Sequence, residues 1–356
     1  RNAEGVPMPM PPRHYLDYDY DCDCGCDFDK HSIPHPIRAS LCPEKVLAEL
    51  WRCVIKGLMV VSIAMQAKKM LIGLLVCPLI AMADPTPALP PVLLAAGDIA
   101  DCGPGAASTA KLLQSQQGLI LAIGDLAYPS GSREDFKRCY EPTWGKFRDR
   151  LKTVPGNHEY MTAGGKPYFT AMGDAAGPAG KGYYSFDFHG WHIIGLNSHI
   201  PINDKSPQIA WLKRDLAETT AQCVLSFVHL PRFSSGEGGD NDSLSAAWET
   251  LTQGGTSLVL AGHDHLYERL APLDGSGSPS ANGTRSFTVG TGGAYLDKKP
   301  WWVRRHSEKL ISGQWGILKL DLSAESYRWS FITVDGQIAD SGEGRCRERN
   351  MNKSKI

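Results

Sequence analysis

The sequence has no excess of either charge and only a short apolar segment near its N-terminal quarter. Its 356 residues carry 37 basic and 38 acidic side chains, for a formal net charge of −1. No nucleic-acid binding through bulk charge is therefore expected. The apolar run at residues 71–80 is too short to cross a bilayer, so no membrane span is predicted. With 42% hydrophobic and 21% charged residues, the composition excludes a wholly disordered or collagen-like chain.

The apolar run belongs to a stretch with the order of a secretory signal peptide. Two lysines precede residues 71–80, and Ala81-Met82-Ala83 follows with the A-x-A order of a cleavage site. We therefore predict a signal peptide at residues 65–83, a secreted or periplasmic protein, and a mature chain that starts near Asp84. The alternative interpretation of this stretch is a buried helix.

Residues 1–64 are predicted to be a non-native or disordered N-terminal extension. At residues 17–29, Asp alternates with Tyr or Cys, a pattern typical of a translated nucleotide repeat. A metal-binding Cys/Asp tract is the alternative. No second Cys or His cluster completes such a site at the usual spacing.

The predicted mature chain has few cysteines and no internal repeat. Its four cysteines are Cys102, Cys139, Cys223 and Cys346. A small, even number in an exported chain predicts one or two disulfides. Cys102 and Cys139 are expected to pair, because each follows an Asp-bearing loop and the strands before those loops should be neighbours. The pairing of the other two stays open.

Short apolar runs alternate with helix-like stretches in the predicted domain, residues 84–344. The runs lie at residues 92–96, 119–123, 151–154, 223–228, 257–261, 285–289, 316–322 and 326–332. The helix-like stretches lie at residues 108–117, 133–140, 207–218 and 244–252. Runs bounded by Gly or Pro are typical of buried strands, so the alternation predicts an α/β fold with a parallel or mixed sheet. A basic, polar tail at residues 345–356 is expected to fray.

Five strand-ending loops carry Asp, Asn or His, most of them beside Gly. They are expected at one end of the sheet, where α/β proteins bind ligands. A lone Asp or His in such a loop is more often a turn residue. Together, however, the loops offer oxygen and nitrogen donors for two metal ions. The donor residues are Asp98, Asp125, Tyr128, Asn157, His229, His263 and His265.

The loops resemble, in chain order, the five signature blocks of the calcineurin-like metallophosphoesterases. The blocks are Gly97-Asp98, Gly124 to Tyr128, Gly156-Asn157-His158-Glu159, His229, and Gly262-His263-Asp264-His265. Tyr128 and the run at residues 265–269 are similar to the purple acid phosphatase branch, in a short, single-domain bacterial form. The resemblance covers residues 92–289. It implies a four-layer α/β/β/α sandwich of two mixed β-sheets flanked by helices.

The resemblance also implies two metal ions that share Asp125. The Fe³⁺ site would be Asp98, Asp125, Tyr128 and His265. The site of a divalent ion (Fe²⁺, Zn²⁺ or Mn²⁺) would be Asp125, Asn157, His229 and His263. The donor chemistry agrees, because carboxylates with a phenolate form a hard site and imidazoles with an amide oxygen suit a divalent ion. Other phosphoesterases have a histidine at the position of Ala100, so Tyr128 is needed here.

The implied activity is that of a secreted phosphatase with a small phosphate-ester substrate. A metal-bound hydroxide would attack a phosphate monoester in line, and His158 would assist the leaving group. The alternative role of His158 is structural, as a partner of Asp98 or of the backbone. A phosphodiesterase or nucleotidase on the same metals remains an alternative, as does a non-catalytic metal-binding protein. Plant members carry a further histidine after the fourth block, and residues 231–236 lack it. No protein partner can be inferred.

Overall fold

The structure is a computed structural model that describes residues 91–178 and 180–349. The predicted extension at residues 1–64 and the predicted signal peptide at residues 65–83 lie outside the described residues, and so do residues 350–356 of the predicted tail. Within the described part, no helix is long and apolar enough to cross a membrane.

Strands and helices alternate through the first part of the described chain, and strands dominate its end. In chain order the strands are β1 (Val92–Ala96), β2 (Leu119–Ile123), β3 (Leu151–Val154), β4 (Tyr184–Phe188), β5 (Trp191–Leu196), β6 (Cys223–Val228), β7 (Leu258–Ala261), β8 (Tyr267–Leu270), β9 (Arg285–Val289), β10 (Ser307–Ile311), β11 (Gly316–Leu322), β12 (Ser326–Thr333) and β13 (Ile338–Arg345). The α-helices are α1 (Pro104–Gln114), α2 (Arg133–Asp135), α3 (Asn157–Met161), α4 (Lys166–Met172), α5 (Pro207–Glu218) and α6 (Ser245–Gln253). A π-helix spans Phe136–Tyr140, and 3₁₀ turns span Trp144–Arg150, Ala163–Gly165, Gly173–Ala176 and Asp242–Leu244.

Two mixed sheets organise these elements. The first has six strands in the order β13-β12-β11-β1-β2-β3, with β1, β2 and β3 parallel. The second has seven strands in the order β10-β8-β9-β7-β6-β5-β4, with β5, β6, β7 and β9 parallel. The predicted sandwich of two mixed sheets flanked by helices is therefore confirmed.

The hydrophobic core forms on both faces of the central strands, because side chains are buried on each face. Successive side chains of a strand point to opposite faces of its sheet. Accordingly, Ile193 of β5 packs in a core cluster that also contains Leu93 of the first sheet. Its neighbour Ile194 packs in a second cluster with Leu212 of α5 and Leu251 of α6. The first cluster joins the two sheets and extends to α1, and the second seats helices on the outer face of the second sheet.

The apolar runs predicted as strands coincide with strands, but they do not all share one sheet. Strands β1, β2 and β3 belong to the first sheet, whereas β6 and β7 belong to the second. The expectation of a single sheet edge was therefore wrong, because a buried apolar run does not specify its pairing partner. The first predicted helix also begins earlier, at Pro104, where proline suits the first turn.

Both cysteine pairs form disulfides. Cys102 pairs with Cys139 across a Cα–Cα distance of 4.7 Å, as predicted from their loops. Cys223 pairs with Cys346 across 5.3 Å, which settles the pairing that had stayed open. Beyond this second disulfide, the Arg347 Nη1 donates to the Thr252 carbonyl at 2.7 Å. The expectation of a fraying tail was therefore wrong for residues 345–349.

Candidate metal centre

The candidate metal centre lies where the carboxyl ends of the parallel strands of the two sheets meet. The loops after β1 and β2 supply Asp98, Asp125 and Tyr128, and the start of α3, after β3, supplies Asn157. The loops after β6 and β7 supply His229, His263 and His265. Two hydrogen bonds connect the first sheet and its loops directly to the loops of the second sheet. The His263 backbone N–H donates to Asp98 Oδ2 at 2.7 Å, and His229 Nδ1 donates to the Ile123 carbonyl at 2.8 Å. All seven predicted ligands therefore converge, although they come from different sheets.

The backbone of these loops is unusual at three of the predicted ligands. Asp98, Asp125 and His263 have φ angles of 61°, 49° and 71°, in the left-handed region that residues with a Cβ rarely adopt. Such strain clusters at functional sites, where surrounding structure holds it. Gly156 illustrates the crowding, since a Cβ there would lie 2.1 Å from Asp125 Oδ1. The glycines beside the ligands therefore let the loops approach one another.

Tyr128 is the centre of one half of the site. Its hydroxyl lies 3.1 Å from Asp98 Oδ1, 3.3 Å from Asp125 Oδ2 and 3.1 Å from His265 Nε2. His265 Nε2 is also 3.2 Å from Asp98 Oδ1. These four side chains form the group that the family resemblance assigns to the Fe³⁺ site.

Asp125 also belongs to the other half of the site. Its Oδ2 lies 3.3 Å from His229 Nε2. The side-chain oxygen of Asn157 lies 3.1 Å from His229 Nε2 and 3.1 Å from His263 Nδ1. Donor atoms of Asp125, His229 and His263 all fall within 4.8 Å of one another, a spacing that could hold one ion. Asp125 is thus the residue shared by both groups.

Residues around the predicted ligands orient His265 and the loop that carries Asp125. His265 Nδ1 donates to the Tyr295 carbonyl at 2.6 Å, which leaves Nε2 directed at the site. The buried Glu159 accepts hydrogen bonds from the backbone N–H groups of Asp125 at 2.9 Å and Gly156 at 2.8 Å. Burial and the Asp125 charge raise the pKa of Glu159 to about 7. Glu159 lies inside a signature block, yet the sequence alone assigned it no role.

The electrostatics of the site fit cations. Burial, together with Asp98 and Asp125, raises the pKa of Tyr128 well above its ordinary value. Burial opposes charge on His229 and His265, but the carboxylates outweigh it and raise their pKa values to about 10 and about 9. Two buried carboxylates in contact with a phenol and imidazoles attract positive charge, which is the requirement of a metal site.

His158 stands at the edge of the group. Its ring lies 4.2 Å from the ring of Tyr128, and its Nε2 is 3.8 Å from Asp125 Oδ2. Its Nδ1 donates to the Pro129 carbonyl at 2.5 Å. The ring is therefore held through one nitrogen, by the backbone, while the other nitrogen makes no direct hydrogen bond to a predicted ligand.

One histidine of this region was missed by sequence reasoning. His199 follows β5, which lies beside β6 in the second sheet, and its ring centroid is 5.7 Å from that of His229. Its Nε2 is buried without a hydrogen-bond partner among the described residues. Burial and the nearby His229 lower the pKa of His199 to about 3, so the imidazole is neutral. The signal was the largely apolar run at residues 191–196, which ends at Asn197-Ser198-His199.

Residues 87–267, half of the chain, match the calcineurin-like phosphoesterase family. The chain therefore belongs to the calcineurin-like phosphoesterases. Its similarity to the purple acid phosphatases of this family implies a dinuclear metal site. It is 30% identical to purple acid phosphatase 15 of Arabidopsis thaliana over 196 residues, 44% of this chain and 37% of the relative. It is 28% identical to purple acid phosphatase 18 of the same plant over 250 residues, 61% of this chain and 54% of the relative.

The chain thus spans about half or less of these curated relatives. Among solved structures, a purple acid phosphatase, PPD1, from yellow lupin seeds shares the fold with a TM-score of 0.59 and 18% identity. That alignment covers 74% of this chain and 55% of the lupin chain. The Plasmodium protein GAP50, described as the anchor in the inner membrane complex, shares it with a TM-score of 0.58 and 15% identity, over 73% of this chain and 90% of that one. At these identities the likeness concerns the fold.

Proposed function

We propose that this protein is a metal-dependent phosphatase that hydrolyses phosphate monoesters. One observation carries the proposal: Asp125 Oδ2 lies 3.3 Å from both the Tyr128 hydroxyl and His229 Nε2, so one carboxylate is shared by two donor groups. A carboxylate in that position can bridge two ions. The match to purple acid phosphatases supports the same class of reaction.

The proposed ions follow from the two donor groups. Asp98, Tyr128 and His265, with Asp125, would hold Fe³⁺, because carboxylate and phenolate oxygens are hard, anionic donors. Asn157, His229 and His263, again with Asp125, would hold Fe²⁺, Zn²⁺ or Mn²⁺. When bound, such a pair acidifies water and neutralises the charge of the phosphate group.

His158 is proposed to protonate or stabilise the departing oxygen. The Pro129 carbonyl accepts a hydrogen bond from Nδ1–H, so Nε2 is the nitrogen that would carry the second proton and give it to the departing oxygen. The ring packs against Tyr128, which restricts its orientation. An imidazole held in this way can transfer a proton at one stated atom, as general acid catalysis requires.

His199 is proposed to contact the phosphate group. A buried polar atom without a partner is unfavourable unless a ligand supplies the partner. The neutral ring offers either an N–H donor or an acceptor at Nε2, and it lies beside the ring of His229. His199 would thus take a place near the substrate that plant relatives fill with a histidine after the fourth block.

The activity test compares p-nitrophenyl phosphate with its bis-ester. We expect the metal-loaded protein to prefer the monoester. His158→Asn should lower kcat about 100-fold with metal content unchanged, because general acid assistance contributes about 10²–10⁴. The control is His189→Asn, in the turn between β4 and β5, at the opposite end of β5 from His199.

Faster hydrolysis of the diester than of the monoester would instead make the protein a diesterase. Bound metals without hydrolysis of either ester would make it a non-catalytic metal-binding protein.

Export is part of the same proposal. Both disulfides of the described residues suit an oxidising compartment, and residues 65–83 have the order of a signal peptide. N-terminal sequencing of protein exported by the native host should find a start near Asp84. A mature protein that retains residues before Met65 would contradict both the processing and the export.

A further inference from the structure

An irregular segment between β9 and β10 exposes large apolar side chains. We call residues 295–306 the Trp loop. Within it, Trp301, Trp302 and Val303 are 98%, 50% and 40% exposed. Tryptophan is highly buried on average in folded proteins, and contiguous exposed apolar side chains mark interaction sites. The proposed chemistry at the metal centre uses none of these three side chains.

The Trp loop is also positively charged at its surface. Lys298, Lys299 and Arg305 are exposed, and their side chains form no ion pair or hydrogen bond with any other residue that the structure describes. The acidic residue of the loop, Asp297, is engaged instead, since its carboxylate accepts from the backbone N–H of His265 at 2.8 Å. Trp301, Trp302 and Val303 are thus flanked by three exposed cations that make no ion pair within the described part of the chain, while the carboxylate of Asp297 is directed at the backbone of His265.

Both ends of the Trp loop are hydrogen-bonded to residues in the loops around the candidate metal centre. At one end the Tyr295 carbonyl accepts from His265 Nδ1 at 2.6 Å. At the other, the Arg304 backbone N–H donates to Ser235 Oγ at 2.9 Å, and the Arg304 guanidinium pairs with Asp240. Because its ends are fixed, the loop presents its tryptophans at a defined place beside the candidate site.

We propose that the Trp loop docks this protein on an anionic lipid surface. The indole rings would enter the interface between head groups and acyl chains, where tryptophan is enriched. Lys298, Lys299 and Arg305 would lie against the lipid phosphates. This charge complementarity favours an anionic lipid surface over an uncharged protein groove. The inference does not depend on the proposed hydrolysis.

Vesicle co-sedimentation of the mature protein tests the inference. We expect binding to vesicles of phosphatidylcholine with phosphatidylglycerol, weakened by salt, and little binding to phosphatidylcholine alone. Each basic side chain near such a surface contributes a factor of about five, so Lys298→Gln with Lys299→Gln should weaken binding about 25-fold. Trp301→Ser with Trp302→Ser should weaken it about as much. Hydrolysis of a soluble ester, where present, should not change.

Matched controls lie outside the Trp loop. Lys137→Gln with Arg138→Gln removes two exposed charges, and Ile338→Ser removes an apolar side chain that is 62% exposed. Both should bind vesicles as the wild type does. The inference is overturned if the wild type does not bind, if it binds both vesicle types equally, or if the loop variants bind like the controls. A concentration-dependent dimer that is lost in Trp301→Ser would assign the loop to a second copy and also overturn it.

Discussion

At the residue scale, the proposed choice of Fe³⁺ for the group of Asp98, Asp125, Tyr128 and His265 depends on Tyr128. Its hydroxyl contacts both buried carboxylates and His265. Because burial and Asp98 raise its pKa, the phenol keeps its proton unless a cation replaces it. Fe³⁺ is a cation hard enough to do so.

Replacing Tyr128 with Phe keeps the ring and removes only the donor oxygen. Iron-loaded wild type should be violet to pink through phenolate-to-iron charge transfer, and Tyr128→Phe should lose the colour. It should also bind the first metal about ten-fold or more weakly. Visible absorption and metal analysis measure these effects.

The matched control is Asn157→Ala, which should spare the colour and weaken only the second metal. A colourless wild type that contains its full complement of iron would contradict the role of Tyr128. So would a Phe variant whose colour is unchanged. Activity with two divalent ions would then be the simplest account of the site.

At the element scale, His192 joins two strands and a helix near the start of β5, at the other end of that strand from His199. Its Nδ1 lies 2.7 Å from Asp187 of β4, and its Nε2 lies 2.8 Å from Asp215 of α5. Burial opposes its charge, but the hydrogen bonds with Asp215 and Asp187 outweigh burial and raise its pKa. The protonated ring therefore stabilises the contact between β5 and α5.

His192→Gln should reduce stability in a pH-dependent way. Since the folded-state pKa lies above the unfolded one, the contribution is fully present below about pH 6.5, the ordinary value. It is lost as the pH rises through the raised pKa. Just below about pH 6.5, where the two carboxylates are still charged, we expect a loss of about 1.5–3 kcal/mol, as for hydrogen bonds to charged groups.

Denaturant unfolding of the wild type and the variant across pH measures this difference. Asp187→Asn, at the more exposed carboxylate, should cost less than Asp215→Asn. A difference between wild type and His192→Gln that stays constant with pH would contradict the ion-pair account.

At the scale of the whole molecule, the second disulfide joins the two sheets. Cys223 begins β6 in the second sheet, and Cys346 follows β13 in the first. The sequence separation is 123 residues, against 37 for Cys102 and Cys139. A longer closed loop restricts the unfolded chain more strongly.

Removing the disulfides one at a time should reveal that difference. In the chain-entropy model, Cys223→Ser with Cys346→Ser should lower the free energy of unfolding by about 5 kcal/mol. Cys102→Ser with Cys139→Ser should lower it by about 4 kcal/mol. Urea unfolding of the two double variants gives the comparison. A larger loss for the shorter loop would show that local packing, rather than loop closure, sets the order.

Several strands could be predicted because their signal is local. The runs at residues 92–96 and 119–123 match β1 and β2 at both ends, since a continuous apolar run is what burial on two faces demands. Strands β10 and β13 gave no such signal. They lie at sheet edges, and their polar residues alternate or mix with small ones.

By itself, the sequence determined which loops carry donor atoms and which short runs are buried. Both features follow from the type and spacing of residues that are close neighbours along the chain. Only the tertiary structure decided that β1 and β6 belong to different sheets, that Cys346 reaches Cys223, and that His199 lies beside His229. Each of these is a contact between distant parts of the chain. Such contacts depend on how whole sheets pack, and no local pattern of residues specifies that packing.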